Sequence, residues 1–115
     1  MRIVQKGWGR EEIWAETLDY CGKNLVFEAG KCFSMHFHRE KDETWLVQSG
    51  RFDLIWIDTF DASQHHMTLL PGDTWRNAPL VPHQLHCIEA GTIVEVSTYD
   101  DPVDNYRVMP GDSQQ

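Results

Sequence analysis

The sequence predicts an all-β fold, a sandwich or barrel of short strands, and three observations carry that prediction. Turn signals recur at short intervals: Asp19-Tyr20, Ala29-Gly30, Ser49-Gly50, Asp61-Ala62-Ser63, Pro71-Gly72, Pro79 with Pro82, and Ala90-Gly91. The runs between them are short and rich in Trp, Phe, Ile, Val and Thr. No stretch of ten or more residues keeps a helical register of apolar positions. Taken in order, the predicted strands are Glu11 to Glu16 around Ile13, and Asn24 to Glu28 with its Leu-Val-Phe centre. Cys32 to His38, Thr44 to Gln48, and Phe52 to Asp58 between Gly50 and the Asp61 turn come next. His66 to Leu70, Asp73 to Asn77 after Pro71-Gly72, His83 to Glu89 after Pro82, and Thr92 to Thr98 after Gly91 complete the set. No internal repeat is present. The last stretch, Asp100 to Gln115, is polar and reads as an arm lying on the surface or on a partner.

Composition bounds what such a chain does. At 115 residues and 41% hydrophobic content it supports one core, so residues 1–115 are read as one domain: a central 24–98, N-terminal strands within 1–23, and the arm 99–115. Eighteen acidic against ten basic residues give a net charge of −8, a sign that repels a phosphate backbone or an anionic membrane. The N-terminus lacks the apolar core of a signal peptide and no run is long enough to span a bilayer, so a soluble cytoplasmic protein is expected. Cys21, Cys32 and Cys87 are odd in number and have no CxxC spacing, which points to free thiols rather than a disulfide scaffold or thiolate metal site.

The segment that carries chemistry is GKCFSMHFHREKDETWLVQSG, with His36 and His38 two apart on a strand and Glu43 beyond a loop of four residues. Strand alternation places Ser34, His36 and His38 on one face and Phe33, Met35 and Phe37 on the other. Imidazole nitrogens and a carboxylate oxygen suit a divalent transition metal (Fe, Mn, Ni, Co or Zn). Downstream, in PGDTWRNAPLVPHQL, His83 opens the next strand and offers a fourth ligand.

In these residues the chain resembles the cupin superfamily. Its first motif, G-x5-H-x-H-x4-E-x6-G, is matched from Gly30 through His36, His38 and Glu43 to Gly50. Its second is matched at Gly72 and His83, with Leu80 where the family's glycine usually stands and Cys87 where its asparagine stands. The resemblance implies a double-stranded β-helix, a jelly-roll barrel of two antiparallel sheets, with one metal held by His36, His38, Glu43 and His83. A longer and weaker likeness, from Lys6-Gly7-Trp8-Gly9-Arg10 through Glu95-Val96-Ser97-Thr98, is to the cupin domain of type II mannose-6-phosphate isomerases and the C-terminal part of mannose-1-phosphate guanylyltransferases. There the ligand strand usually carries glutamine where this chain has His36, and no nucleotidyltransferase domain is present. The resemblance thus implies a metalloenzyme acting on a sugar, sugar phosphate or similar small metabolite, isomerase-like. The alternatives are an iron or manganese dioxygenase, a cupin lyase, or a barrel that binds without turnover.

The remaining candidates have plainer readings. His65 and His66 stand in a polar loop as a solvated pair, and His86, three beyond His83, points away from the metal face. Trp45 shares parity with Glu43 and serves as core filling or as a cavity wall; Cys87 shares parity with His83 and is a packing thiol or a wall residue. For a phosphate the candidate cations are Lys23, Lys31, Arg51 and Arg76, and no further carboxylate is placed inside. Five tryptophans and five phenylalanines exceed what one small barrel interior readily holds. A homodimer covering Trp8 and Trp14, or the row Phe33, Met35 and Phe37, is therefore expected.

Overall fold

The computed structural model describes residues 1–115 and contains two antiparallel sheets packed face to face. In chain order the strands are β1 (Arg2–Lys6), β2 (Gly9–Glu16), β3 (Cys21–Phe27), β4 (Met35–Phe37), β5 (Glu43–Val47) and β6 (Arg51–Ile57). They continue with β7 (Gln64–Leu69), β8 (Thr74–Asn77), β9 (His83–Glu89), β10 (Gly91–Ser97) and β11 (Tyr106–Met109), and a 3₁₀ turn over Asp112–Gln114 closes the chain. One sheet runs β1-β2-β3-β10-β5-β8 and the other β11-β4-β9-β6-β7, the closed arrangement of a double-stranded β-helix. No helix is long and apolar enough to cross a membrane.

Register explains why one end of the sandwich is greasy and the other ionic. Ile93 lies opposite both Leu25 and Val47, and two residues along β10 Glu95 lies opposite Lys23 and Trp45. On the facing sheet Cys87 is paired with Phe52 and Leu85 with Leu54, and two residues further His83 is paired with Trp56. Each inward row therefore changes from aliphatic to ionisable at the same level. The apolar level forms the core, with Phe27, Val47, Phe52, Leu54, Leu69, Leu85 and Ile93 all essentially inaccessible. Three of the motif glycines, Gly30, Gly50 and Gly72, have φ of 81°, 87° and 91°, which L side chains rarely adopt. At Gly50 a Cβ would also stand 2.6 Å from the Glu89 carbonyl oxygen.

The structure departs from the sequence reading in its strands and in one face assignment. β1 and β11 are additional strands, and β7 starts two residues earlier than expected, so His65 lies within it beside His66 rather than in a loop, both exposed, with His65 stacked on Trp56 at 4.3 Å. The strand expected over residues 32–38 is regular only from Met35 to Phe37. Cys32 is instead held by Asp112, whose Oδ2 accepts the Cys32 N–H at 2.7 Å and whose own N–H donates to the Cys32 carbonyl. This break resets the alternation, so Phe33 turns inward and packs with Trp8, Phe27 and Trp45 in the core.

The rest of the supposed outer row is covered by the chain itself. β11 pairs with β4, burying Met35 completely and stacking Tyr106 on Phe37 at 5.2 Å. Trp8 is likewise buried by its own chain, stacked on Phe27 at 4.3 Å, a contact of about 0.5–1.5 kcal/mol beyond its area. Trp14 is different: a bulge in β2 sets it on the outer face over Gly22, about half exposed (48%).

Candidate metal centre

His36 on β4, His83 at the start of β9 and His38 just beyond β4 converge, with one nitrogen from each lying within 4.8 Å of the others. His36 and His83 are direct cross-strand partners, which brings their rings to 4.7 Å. Each Nδ1 is occupied by a main-chain carbonyl: His36 on Ser34 at 2.7 Å, His83 on Val81 at 3.0 Å and His38 on Asp104 at 2.6 Å. A ring that donates from Nδ1 keeps its Nε2 lone pair free, and three backbone acceptors thus set the same tautomer three times.

Glu43, at the start of β5, closes the group. Its Oε1 lies 3.3 Å from His38 Nε2 and 3.4 Å from His83 Nε2. Glu43 Oε1 and His83 Nε2 are both buried and neither has a hydrogen-bond partner. Two buried acceptor atoms facing each other are costly unless a cation stands between them, so the donor set fits a divalent metal. The electrostatics agree. Burial first, and then His83 and His38, push His36 down to about 3, which keeps the ring neutral at ordinary pH. Burial would raise Glu43, but Lys41, Glu95, His38 and His83 outweigh it and hold the carboxylate well below its usual range.

The turn before His83 keeps its geometry despite an unfavourable residue. Leu80 adopts φ 72°, the conformation for which glycine is suited, and its N–H donates to the His38 carbonyl at 2.7 Å. A leucine there costs about 1–2 kcal/mol, offset by a bond that ties the His83 turn to the His38 strand end. Asp104 performs a similar service from the C-terminal segment. Its carboxylate accepts the main-chain N–H groups of Arg39, Glu40 and Lys41 at 2.6, 3.0 and 3.0 Å, while its carbonyl holds His38.

Behind the histidines the space between the sheets is a cavity of about 450 Å³. Its second cluster is ionic. Lys23 Nζ reaches Glu11 at 2.8 Å, Asp100 at 3.0 Å and Glu95 at 3.7 Å; Lys41 Nζ reaches Glu95 at 3.0 Å and Asp100 at 3.2 Å. Burial alone would lower both ammonium groups, but Glu95 foremost among the carboxylates holds them above their usual value. Glu95, buried and beside Glu43, is pushed up to about 7 in spite of the lysines. Trp45 joins the two clusters, its Nε1–H shared between Glu43 Oε2 at 3.1 Å and Glu95 Oε1 at 3.0 Å.

The other expected site residues fall as follows. Trp45 is both buried core and cavity wall. Cys87 is a packing thiol rather than a wall residue: it lies at the apolar level of β9, where its S–H donates to the Glu89 carbonyl. His86 pairs with Asp53 and lies outside the cavity. Of the four candidate cations only Lys23 is inside, and its charge is already matched. Lys31 and Arg51 are exposed outside the cavity, and Arg76 is paired with Asp42 on the surface. Lys41, Glu95, Asp100 and Asp104 are neighbours of the candidate site that sequence reasoning does not single out. For Lys23 and Glu95 a signal exists, since a charge two residues from a core position on a strand shares its inward face: Leu25 with Lys23, Ile93 with Glu95.

Two packed antiparallel sheets with a histidine cluster between them define the cupin fold, and known structures agree. KdgF from Halomonas sp. superimposes with a TM-score of 0.70 at 19% identity, covering 80% of this chain and 81% of its own. Oxalate decarboxylase from Bacillus subtilis matches at 0.79 and 14% identity over 93% of this chain. The capsular polysaccharide assembling protein CapF from Staphylococcus aureus matches at 0.79 and 16% identity over 94%. This chain spans only 30% and 34% of the last two. No protein-family profile and no curated protein sequence matches the chain.

Proposed function

We propose that this cupin binds one divalent transition metal through His36, His38, His83 and Glu43 and acts on a sugar, sugar phosphate or similar oxygen-rich small molecule in the adjoining cavity. The observation that carries the reading is the pair of buried, unpartnered acceptors, Glu43 Oε1 and His83 Nε2, beside two further imidazoles whose Nδ1 atoms are already engaged. A bound divalent ion supplies Lewis acidity toward adjacent ligand oxygens, and four protein ligands leave positions open.

The chain's own groups do the rest. Phe33 and Trp45 wall the donor cluster, packed edge-on against His36 and His83. Of the cavity carboxyls left free of the ion, Glu95 is the one bonded to the same Trp45 indole as Glu43, and Trp45 and Lys41 hold it in place to take up or return a proton at its Oε atoms. This is the base needed for an isomerase-like proton transfer. The role of CapF in capsular polysaccharide assembly supports testing sugar-derived compounds first. The expected homodimer now rests on the outer face where Trp14, Leu46 and Val96 are each about half exposed. A one-chain mass in sedimentation would remove that part of the proposal.

Elemental analysis of the purified protein, followed by anaerobic and aerobic assays with sugars and sugar phosphates, tests the reading. One ion per chain is expected. His38→Ala should lose the ion and all turnover, whereas His86→Ala should keep both, because His86 faces away from the cavity. Oxygen consumption with no anaerobic turnover would replace the isomerase-like reading with a dioxygenase, and tight binding of an unaltered ligand would replace it with a binding module.

A further inference from the structure

A small pocket adjoining the cavity, hereafter its mouth, carries two cations without a carboxylate partner. Of the ten basic residues, Arg2, Arg10, Lys23, Lys41 and Arg76 stand in ion pairs. Lys6 and Arg107 have no carboxylate partner, and both line one pocket of about 100 Å³ that shares Trp8, Phe33 and Asn105 with the main cavity. Glu11, the carboxylate on that pocket's wall, is engaged by Lys23 at 2.8 Å.

Strand geometry explains how they arrive there. Arg2, Val4 and Lys6 alternate along β1 and all three face the cavity. Arg107 is the cross-strand partner of His36, so its side chain leaves the sheet on the same face as that imidazole. Both strands come from chain ends, and their placement brings two free cations to one opening in a protein whose net charge is −8.

We propose that this mouth is an anion subsite, in which Lys6 and Arg107 hold a carboxylate or phosphate group of the small molecule whose other end reaches the histidine cluster. Arg107 supplies a planar fork suited to either anion and Lys6 a point charge, with Asn105 as a neutral donor beside them. Lys23 and Lys41 cannot serve, since Glu95, Asp100 and Glu11 already saturate them. The subsite deepens the function proposed above and rests on reading the cavity as the ligand chamber.

The test uses the full chain, with and without added Mn²⁺, titrated with inorganic phosphate and with acetate while the Arg107 Nε–H and Asn105 amide signals are followed by NMR. Calorimetry with mannose 6-phosphate and mannonate against mannose separates the phosphate from the carboxylate source. Both signals should shift, and at least one charged ligand should bind about tenfold tighter than mannose, the gain expected of a charge-assisted contact. Lys6→Gln with Arg107→Gln should erase that preference and leave mannose binding and metal content unchanged. Unmoved signals, or a preference that survives the double substitution, overturn the subsite. If elemental analysis finds no ion yet phosphate still moves Arg107, the subsite stands and the metal reading falls. An ion-loaded protein with an unresponsive Arg107 overturns the subsite and leaves the metal reading standing.

Discussion

The two charged clusters that share this cavity differ in one respect: the lysine–carboxylate cluster is complete as it stands, and the histidine–glutamate cluster is not. Lys23 and Lys41 each meet carboxylates within 3.2 Å, and Glu95 takes bonds from Lys41 and Trp45. In the same cavity, Glu43 Oε1 and His83 Nε2 have only acceptor atoms for company. Burial is comparable, since Lys23, Lys41, Glu43, Glu95 and His83 are all at most 5% exposed. Burial of charge therefore does not mark the site. What marks it is a set of buried acceptors that no group of the polypeptide partners.

The sharpest way to break the comparison is to make the complete cluster incomplete. Lys41→Met removes the ammonium nearest Glu95 and should cost about 3–5 kcal/mol, the usual penalty for stranding one partner of a buried ion pair. Metal stoichiometry should stay at one ion per chain, because Lys41 is not a donor. Urea unfolding and elemental analysis together check this, and loss of the ion without loss of stability would show that the two clusters had been assigned the wrong roles.

A smaller effect is expected at the support of the histidine cluster. Asp104→Ala leaves three main-chain N–H groups at residues 39–41 without their acceptor and loosens the carbonyl that orients His38. Stability should fall by about 1–3 kcal/mol and metal affinity by about 10–100-fold, as for other outer partners of metal ligands. Competition with a chromophoric chelator measures the second quantity. An unchanged affinity would mean that His38 is oriented by packing alone.

The smallest effect is a near-cancellation with pH in the ion-free protein. His36 is held down to about 3, so from its unfolded value near 6.5 downward the unfolded chain takes up a proton that the folded one refuses, and stability falls with acid. Glu95 is pushed up to about 7, so between 7 and its unfolded value near 4.5 the folded chain takes the extra proton and stability rises. His38, which Glu43 raises in spite of burial, works in the same direction as Glu95. Below 4.5 Glu43 and Asp104, both held low, add their losses to that of His36. Unfolding midpoints should therefore be nearly flat between about pH 7 and 4.5 and drop steeply below. A steady decline from about pH 6.5 would show that His36 acts without the opposing pair.

How much of the molecule is legible in the sequence depends on how local the cause is. His36 and His38 two apart, with Glu43 one short loop away, are arranged by strand period and loop length, and those are readable from adjacent residues. His65 reads as loop because nothing near it shows that the start of β7 pairs with the end of β6. β1 and β11 are silent in the sequence because RIVQK and YRVM are short and mostly exposed, and become strands only through partners β2 and β4. Phe33 falls on the wrong face because alternation assumes an unbroken strand, and Asp112, 80 residues away, breaks it.

The sequence by itself determined an all-β chain, the donor types of the candidate metal centre and the convergence of its first two histidines, because period-two alternation and turn chemistry act over a few residues. Tertiary structure alone decided which carboxylates enter the cavity, which lysines they neutralise, that Asp104 holds His38, and that β1 and β11 bring Lys6 and Arg107 to its mouth. The ion pair of Lys41 with Glu95 joins residues 54 positions apart, and that of Lys23 with Asp100 joins residues 77 apart. Only the pairing of distant strands brings such charges within reach, and only the resulting burial makes each unpaired one costly.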